Sequence, residues 1–190
     1  MGSLGDEVAQ AIAYRLNYRV VSREIINQAA LRSGAPEMAL ATIDELDLLG
    51  IQPTAQARYA YQLAVELVMK ELADEGEVVI IGRAGQVILH NHPNVFHVKV
   101  IAPSALRAER IARRHNLSLE AAKAQIETSD RNRKNYLKRY YRARWDDPEL
   151  YDLIINTDRL DPEQAACLIC QALTHCDQRA PYASYDHLLK

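Results

Sequence analysis

The sequence predicts an α/β fold with a parallel sheet flanked by helices. Three observations carry that prediction. Short β-branched runs alternate with helical stretches along the chain, the pattern of βα units. The run Val78-Val79-Ile80-Ile81 is continuously apolar, with Asp74-Glu75-Gly76-Glu77 before it and Gly82 after it, as expected of a strand covered on both faces. Gly82 and Arg83 stand at its carboxyl end, the rim where open α/β sheets bind ligands. A guanidinium there suits a phosphate or a carboxylate, although a solvated loop arginine gives the same pattern.

The elements follow in order. Val8, Ile12 and Leu16 recur at four-residue spacing with alanines between them, which predicts a helix from Gly5 to Asn17. Tyr18 to Ser22 reads as a short strand. Arg23 to Ser33 reads as a helix, broken by Ser33-Gly34-Ala35-Pro36. A short helix is expected over Met38 to Leu49. A long one, capped by Thr54, is expected over Ala55 to Glu75, with Tyr61, Val65, Val68 and Leu72 on one face. After the strand at 78–82 come a short helix from Gly85 to His90, a turn at His92-Pro93-Asn94 and a strand from Val95 to Ala102. An arginine-rich helix from Ser104 to His115 precedes a long one from Leu119 to Tyr141. Leu150 to Asn156 is the last strand, and Pro162 sits in the first turn of the last helix, which ends near Cys176. Residues 179–190 show no period and read as a loosely packed tail. The order starts with a helix, where a doubly wound fold normally supplies its first strand.

The 190 residues suggest one domain, residues 1–178, and 48% apolar with 25% charged residues is the balance of a globular protein. A net charge of -2 argues against a protein that coats nucleic acid. The charge is uneven. From Arg107 to Arg144 twelve Lys and Arg face only Glu109, Glu120, Glu127 and Asp130, a local basic patch that suits a polyphosphate. Cys167, Cys170 and Cys176 form no disulfide framework and lack zinc-site spacing; they read as thiols packed like small apolar groups. No apolar run approaches the ~20 residues of a membrane span, and no signal-peptide pattern is visible. The expectation is a cytoplasmic protein without membrane or nucleic-acid partners.

Two stretches invite chemistry. Gly2-Ser3-Leu4-Gly5 precedes a helix, and glycines there let backbone N–H groups approach an anion. A frayed terminus fits as well. The full G-x-x-x-x-G-K-[ST] loop is absent, no Lys or Arg precedes Arg15, and Asp6 and Glu7 repel phosphate unless a metal bridges them. The second stretch is Ser129-Asp130-Arg131-Asn132-Arg133. With Arg107, Arg110 and Arg114 it reads either as a lid closing on a polyphosphate or as a solvated face paired with Glu109, Glu120 and Glu127. His90 and His92 read as surface residues. Neither G-x-S-x-G nor H-E-x-x-H is present, so hydrolase chemistry has no foothold.

The segments VVIIGRAGQVILHNHPNVFHVKVIAPSALRAERIARR, IETSDRNR and YDLIINTDRL, with GSLGDEVAQAIAYRLNYRVVSREII at the amino end, resemble the cytidylate kinase-like family. These are nucleoside monophosphate kinases of the phosphate-loop class. The resemblance covers roughly residues 2 to 175 and rests on the order and spacing of the motifs rather than on any one of them. It implies a P-loop kinase-like parallel sheet flanked by helices, whose first strand this sequence lacks. It also implies a helical monophosphate-binding part at 34–75 and a lid region at 104–145. Gly2, Ser3 and Gly5 become the ATP phosphate-binding residues. Arg83, Arg23 and Ser22 become the acceptor-binding residues. Arg110, Arg131 and Arg133, with Arg107 beside them, become the catalytic clamp.

The implied reaction is ATP- and Mg2+-dependent phosphoryl transfer to CMP, dCMP or a related acceptor, with no metal ligand set from the protein alone. The alternative is a catalytically inactive relative that binds a nucleotide or a protein partner. The open strand edge leaves room for a homodimer. The departures are specific. The acidic residue that follows glycine-arginine in cytidylate kinase is Ala84, the aspartate before arginine-glutamate is Ser22, the donor-loop lysine falls at Gly5 and the basic residue after it at Asp6.

Overall fold

The first helix is set by its ends. Leu4 turns into the left-handed region (φ 62) and Asp6 and Glu7 lie in the first turn, where carboxylates complement the helix dipole. Asn17, also left-handed, closes it with its N–H on the Ala13 carbonyl. The computed structural model of the protein describes residues 1–22, 25, 28, 29, 31, 32 and 54–176. The elements are α1 (Gly5–Leu16), β1 (Arg19–Val21), α2 (Ala55–Glu75), β2 (Val78–Ile80), α3 (Gly85–Ile88), β3 (Val98–Ile101), α4 (Ser104–His115), α5 (Leu119–Tyr141), β4 (Leu153–Asn156) and α6 (Pro162–Cys176). Ile25, Gln28, Ala29, Leu31 and Arg32 are helical. The helix expected over Met38 to Leu49 and the tail at 179–190 lie outside the described residues. The protein is α/β, with parallel strands flanked by helices, as the alternation predicts.

The strands form two parallel pairs. β1 runs beside β2 with Arg19 opposite Val78 and Val21 opposite Ile80. β3 runs beside β4 with Val98 opposite Leu153 and Ile101 opposite Asn156. Among the described residues no strand joins β2 to β3. This corrects one expectation. Val78, Val79 and Ile80 are each half-buried, not buried on both faces, because among the described residues β2 has a strand neighbour on one side only.

Each pair has its own core. Under β1 and β2, α2 inserts Tyr61, Val65, Val68, Met69 and Leu72 against Val21 and Ile25. Val65, Val68 and Met69 are fully buried, and each such side chain contributes roughly 1.5–3 kcal/mol of transfer free energy. Under β3 and β4, Val8 of α1 meets Ile155, Ala165 and Ile169, with Val98, Val100 and Leu153 packed around them. α1 touches β1 and β2 as well as α6, so it ties the two halves together. Its buried Ala9, Ala11 and Ala13 keep that approach close.

α4 and α5 form an antiparallel hairpin cored by Ala108, Ile111, Ala122 and Ile126, with Met1 and Ala112 packed on it. Asn116 ends α4 in the left-handed region. Ser118 caps α5, its hydroxyl accepting from the Ala121 N–H at 3.2 Å. No helix among the described residues is long and apolar enough to cross a membrane.

Candidate functional site

The glycine turn before α1 lies against the start of α4. Gly2 has φ 76, and a Cβ there would stand 2.7 Å from the Arg107 carbonyl oxygen, so only glycine fits. Gly5 is less constrained; its Cβ would meet Ser3 Oγ and Val100 Cβ at 3.9 Å. Three side chains then fasten the turn by its carbonyls. Arg107 Nε donates to the Met1 carbonyl at 2.7 Å. Arg110 Nη1 donates to the Gly2 carbonyl at 3.4 Å. The Thr157 hydroxyl, fully buried just past β4, lies 3.0 Å from the Ser3 carbonyl and 3.3 Å from the Ile101 carbonyl, either of which can accept its proton. Thr157 in turn accepts from Arg110 through both its hydroxyl (3.1 Å) and its carbonyl (2.8 Å).

Arg107 also makes a two-pronged ion pair with Asp130 of α5, 2.8 Å on each arm. Burial pushes the Asp130 carboxyl up. The Arg107 guanidinium, the Met1 amino group and Arg133 outweigh it and hold the carboxyl below its ordinary range. Positive potential at the turn has a second sign. Burial, then Arg133 and Arg107, depress the Met1 amino group to about 5. Arg114 pairs with Glu7 in the first turn of α1. Arg107 and Arg114 of α4 therefore pair with Asp130 and Glu7 rather than with Glu109, Glu120 and Glu127.

The three arginines expected to clamp phosphates separate here. Arg133 is half-buried within electrostatic reach of the turn. Arg110 touches the turn but directs its donors at the carbonyls of Gly2 and Thr157. Arg131 is exposed, with Nη2 3.4 Å from Thr128 Oγ1 on its own helix. Ser22 is exposed just past β1, and Arg23 lies outside the described residues.

At the end of β2 the backbone makes three successive left-handed residues, Gly82 (φ 79), Arg83 (φ 59) and Ala84 (φ 59). Glycine adopts that region freely; for Arg83 and Ala84 it costs roughly 1–2 kcal/mol each, and such outliers persist where packing over-determines them. Ala84, 3% exposed, packs on Tyr136 and Leu137 of α5, beside Val87, Ile88, Tyr140, Tyr141 and Trp145. The helix that carries Arg133 thus also braces the rim turn that carries Arg83.

Reading residues one at a time missed Thr157 and Asp130. The first stands in the YDLIINTDRL stretch one residue past its strand, and the second precedes Arg131; neither shows its partner in the sequence. Among the described residues no cluster of His, Cys, Asp or Glu can hold a metal ion by itself. Cys167 and Cys170 are free, half-buried thiols, and burial pushes the Cys170 thiol up, away from reactivity.

Comparison with known proteins gives the same frame. The profile of the cytidylate kinase-like family matches residues 1–159. A cytidylate kinase of Pyrococcus horikoshii is 39% identical over 108 residues, 56% of this chain and 55% of the relative, so this match spans about half the relative's length. A cytidylate kinase of Methanocaldococcus jannaschii is 31% identical over 170 residues, 87% of this chain and 89% of the relative. Among solved structures, an uncharacterized protein from Eubacterium ventriosum superposes with a TM-score of 0.69 at 23% identity, covering 94% of both chains. Shikimate kinase from Acinetobacter baumannii, solved with shikimate, superposes with a TM-score of 0.50 at 17% identity, covering 94% of this chain and 91% of its own. At those identities the likeness speaks for the fold alone.

Proposed function

This chain belongs to the cytidylate kinase-like family, and on that premise we propose that it transfers the γ-phosphoryl group of ATP to CMP or dCMP. The observation that carries the reading is the meeting of a glycine turn, a helix amino terminus and the guanidiniums of Arg107, Arg110 and Arg133 at one place. Phosphoryl transfer asks a protein for positioning and for positive charge around the moving group, and for little covalent work. Here the backbone N–H groups of Gly2 to Gly5 and the dipole of α1 receive the donor phosphates. Arg133 supplies the charge that a loop lysine would bring. Arg107 and Arg110 hold the turn in shape by its carbonyls.

Arg83, on the strained rim turn, takes the acceptor phosphate, and Ser22 and Arg23 are assigned to the same acceptor-binding role. Arg131 closes from the exposed side of α5. One P–O bond to the ADP leaving group breaks and one to an oxygen of the acceptor phosphate forms. Mg2+ fits as a nucleotide-borne ion. The donor set offers one hydroxyl, Ser3, and one exposed carboxylate, Asp6, as an ion that keeps its waters and phosphate oxygens requires. Ala84 packs its methyl against α5 and has nothing with which to read cytosine, so the base is recognised elsewhere.

Two observations favour a second reading, nucleotide binding without turnover: Arg110 faces two backbone carbonyls, and Gly5 stands where the family's lysine does. Release of ADP from ATP and Mg2+ in the presence of each nucleoside monophosphate separates the two. CMP- or dCMP-dependent release supports the transferase. Thermal stabilisation by nucleotide with no release leaves only the binding role. Neither effect at millimolar nucleotide overturns both.

A further inference from the structure

Lys99 is the residue of β3 that the rest of the site leaves without a task. Its neighbours Val98 and Val100 feed an apolar core. Lys99 points elsewhere, half-buried, with Nζ 4.9 Å from the Trp145 ring centre and 5.0 Å from that of Tyr151. It donates to the Trp145 carbonyl at 3.0 Å. The Tyr151 hydroxyl donates to that same carbonyl at 3.1 Å and accepts from Gln86 Nε2 at 3.3 Å. An ammonium held between two aromatic faces and a carbonyl is a stable fixture. Burial lowers its proton affinity, partly offset by Asp146.

What the fixture holds is informative. Gln86 is on α3, which starts directly after the left-handed turn Gly82-Arg83-Ala84. Trp145 packs in the same cluster as Ala84, Tyr136 and Leu137. Two non-glycine residues in a left-handed conformation need their surroundings to hold them there. The chain Lys99–Trp145–Tyr151–Gln86 supplies part of that hold, alongside α5.

We propose that Lys99 is a positioning residue for the acceptor: through Trp145, Tyr151 and Gln86 it sets the turn that aims Arg83, and so sets monophosphate affinity without touching the donor site. The proposal rests on the phosphotransferase reading above. A merely structural lysine would lower stability and affect both nucleotides alike. A positioning lysine splits them.

The test is calorimetric titration of the full chain with CMP and, separately, with ATP. Trp145, the only tryptophan, reports the fixture by its emission. Lys99→Met should weaken CMP binding about tenfold, leave ATP binding within about twofold, and shift Trp145 emission, while Lys99→Arg, which still stacks and donates, should restore CMP binding. Tyr151→Phe, which keeps the ring and removes the link to Gln86, should weaken CMP binding in the same direction with the fold intact. Unchanged CMP affinity in Lys99→Met and Tyr151→Phe, or equal losses for CMP and ATP, overturns the role of Lys99 while the kinase reading stands. A wild-type chain that neither binds nor phosphorylates any monophosphate overturns both.

Discussion

Arg110 grips Thr157 twice, at the hydroxyl (3.1 Å) and at the carbonyl (2.8 Å), across 47 positions of sequence. The same Thr157 hydroxyl lies 3.0 Å from the Ser3 carbonyl. One buried threonine therefore joins the arginine helix, the end of β4 and the glycine turn.

Thr157→Val keeps the shape and removes the hydroxyl. It leaves the Ser3 carbonyl and Arg110 Nη1 each short of a partner, and should lower stability by about 1–3 kcal/mol in urea unfolding. On the proposed role of the turn in holding the donor, the KM for ATP should rise while that for CMP stays. A stability loss with both KM values unchanged would disconnect Thr157 from the donor site.

Gly2→Ala should be harsher on function than its one methyl suggests. The new Cβ would lie 2.7 Å from the Arg107 carbonyl at φ 76, so the turn must leave α4. Stability should fall by about 1–2 kcal/mol from backbone strain alone, and ATP binding by calorimetry should weaken more than CMP binding. Gly5→Ala, with 3.9 Å of room, is the control.

The Arg107–Asp130 pair predicts an acid response. The Asp130 carboxyl lies below its unfolded value of 3.8. Its stabilisation is therefore complete above that pH and is lost as pH falls through the lower folded value. In urea unfolding from pH 7 down to pH 2.5, the wild type should lose more stability across the acid range than Asp130→Asn. At neutral pH Asp130→Asn should already be weaker, by roughly 1–3 kcal/mol. Parallel curves for the two proteins would show that the pair contributes nothing to folding.

Arg83 at φ 59 separates stability from activity. Arg83→Ala and Arg83→Gly remove the same guanidinium, and both should raise the CMP KM strongly. Glycine accepts the left-handed backbone, so Arg83→Gly should be the more stable of the two by about 1 kcal/mol. Equal CMP KM values in wild type and either variant would remove Arg83 from the acceptor site.

The element order was legible because periodicity is local. Val8, Ile12 and Leu16 mark α1, and Val78 to Ile81 mark β2, whatever else the chain does. Strand lengths were less so. Val95 to Ala102 reads as one strand, but pairing starts only at Val98, where the partner strand begins at Leu153. The half-burial of β2 depends on its having one strand neighbour among the described residues, and that leaves no mark in its own sequence. The arginines of α4 were visible as a helical face, yet their partners Asp130, Thr157 and Glu7 lie far along the chain, so nothing local shows where the guanidiniums point. The glycine-arginine at the rim suggested a turn. That Arg83 and Ala84 follow Gly82 into the left-handed region was invisible, since glycine alone advertises that conformation.

The central claim is that this chain moves a phosphoryl group from ATP to a cytidine monophosphate. The direct measurement is to incubate it with ATP labelled in the γ-phosphate, Mg2+ and CMP or dCMP, and to follow the label. Labelled CDP or dCDP should form in amounts that depend on chain and acceptor, and that fall strongly in Arg83→Ala. Label that stays in ATP, or appears only as inorganic phosphate whatever the acceptor, would contradict it.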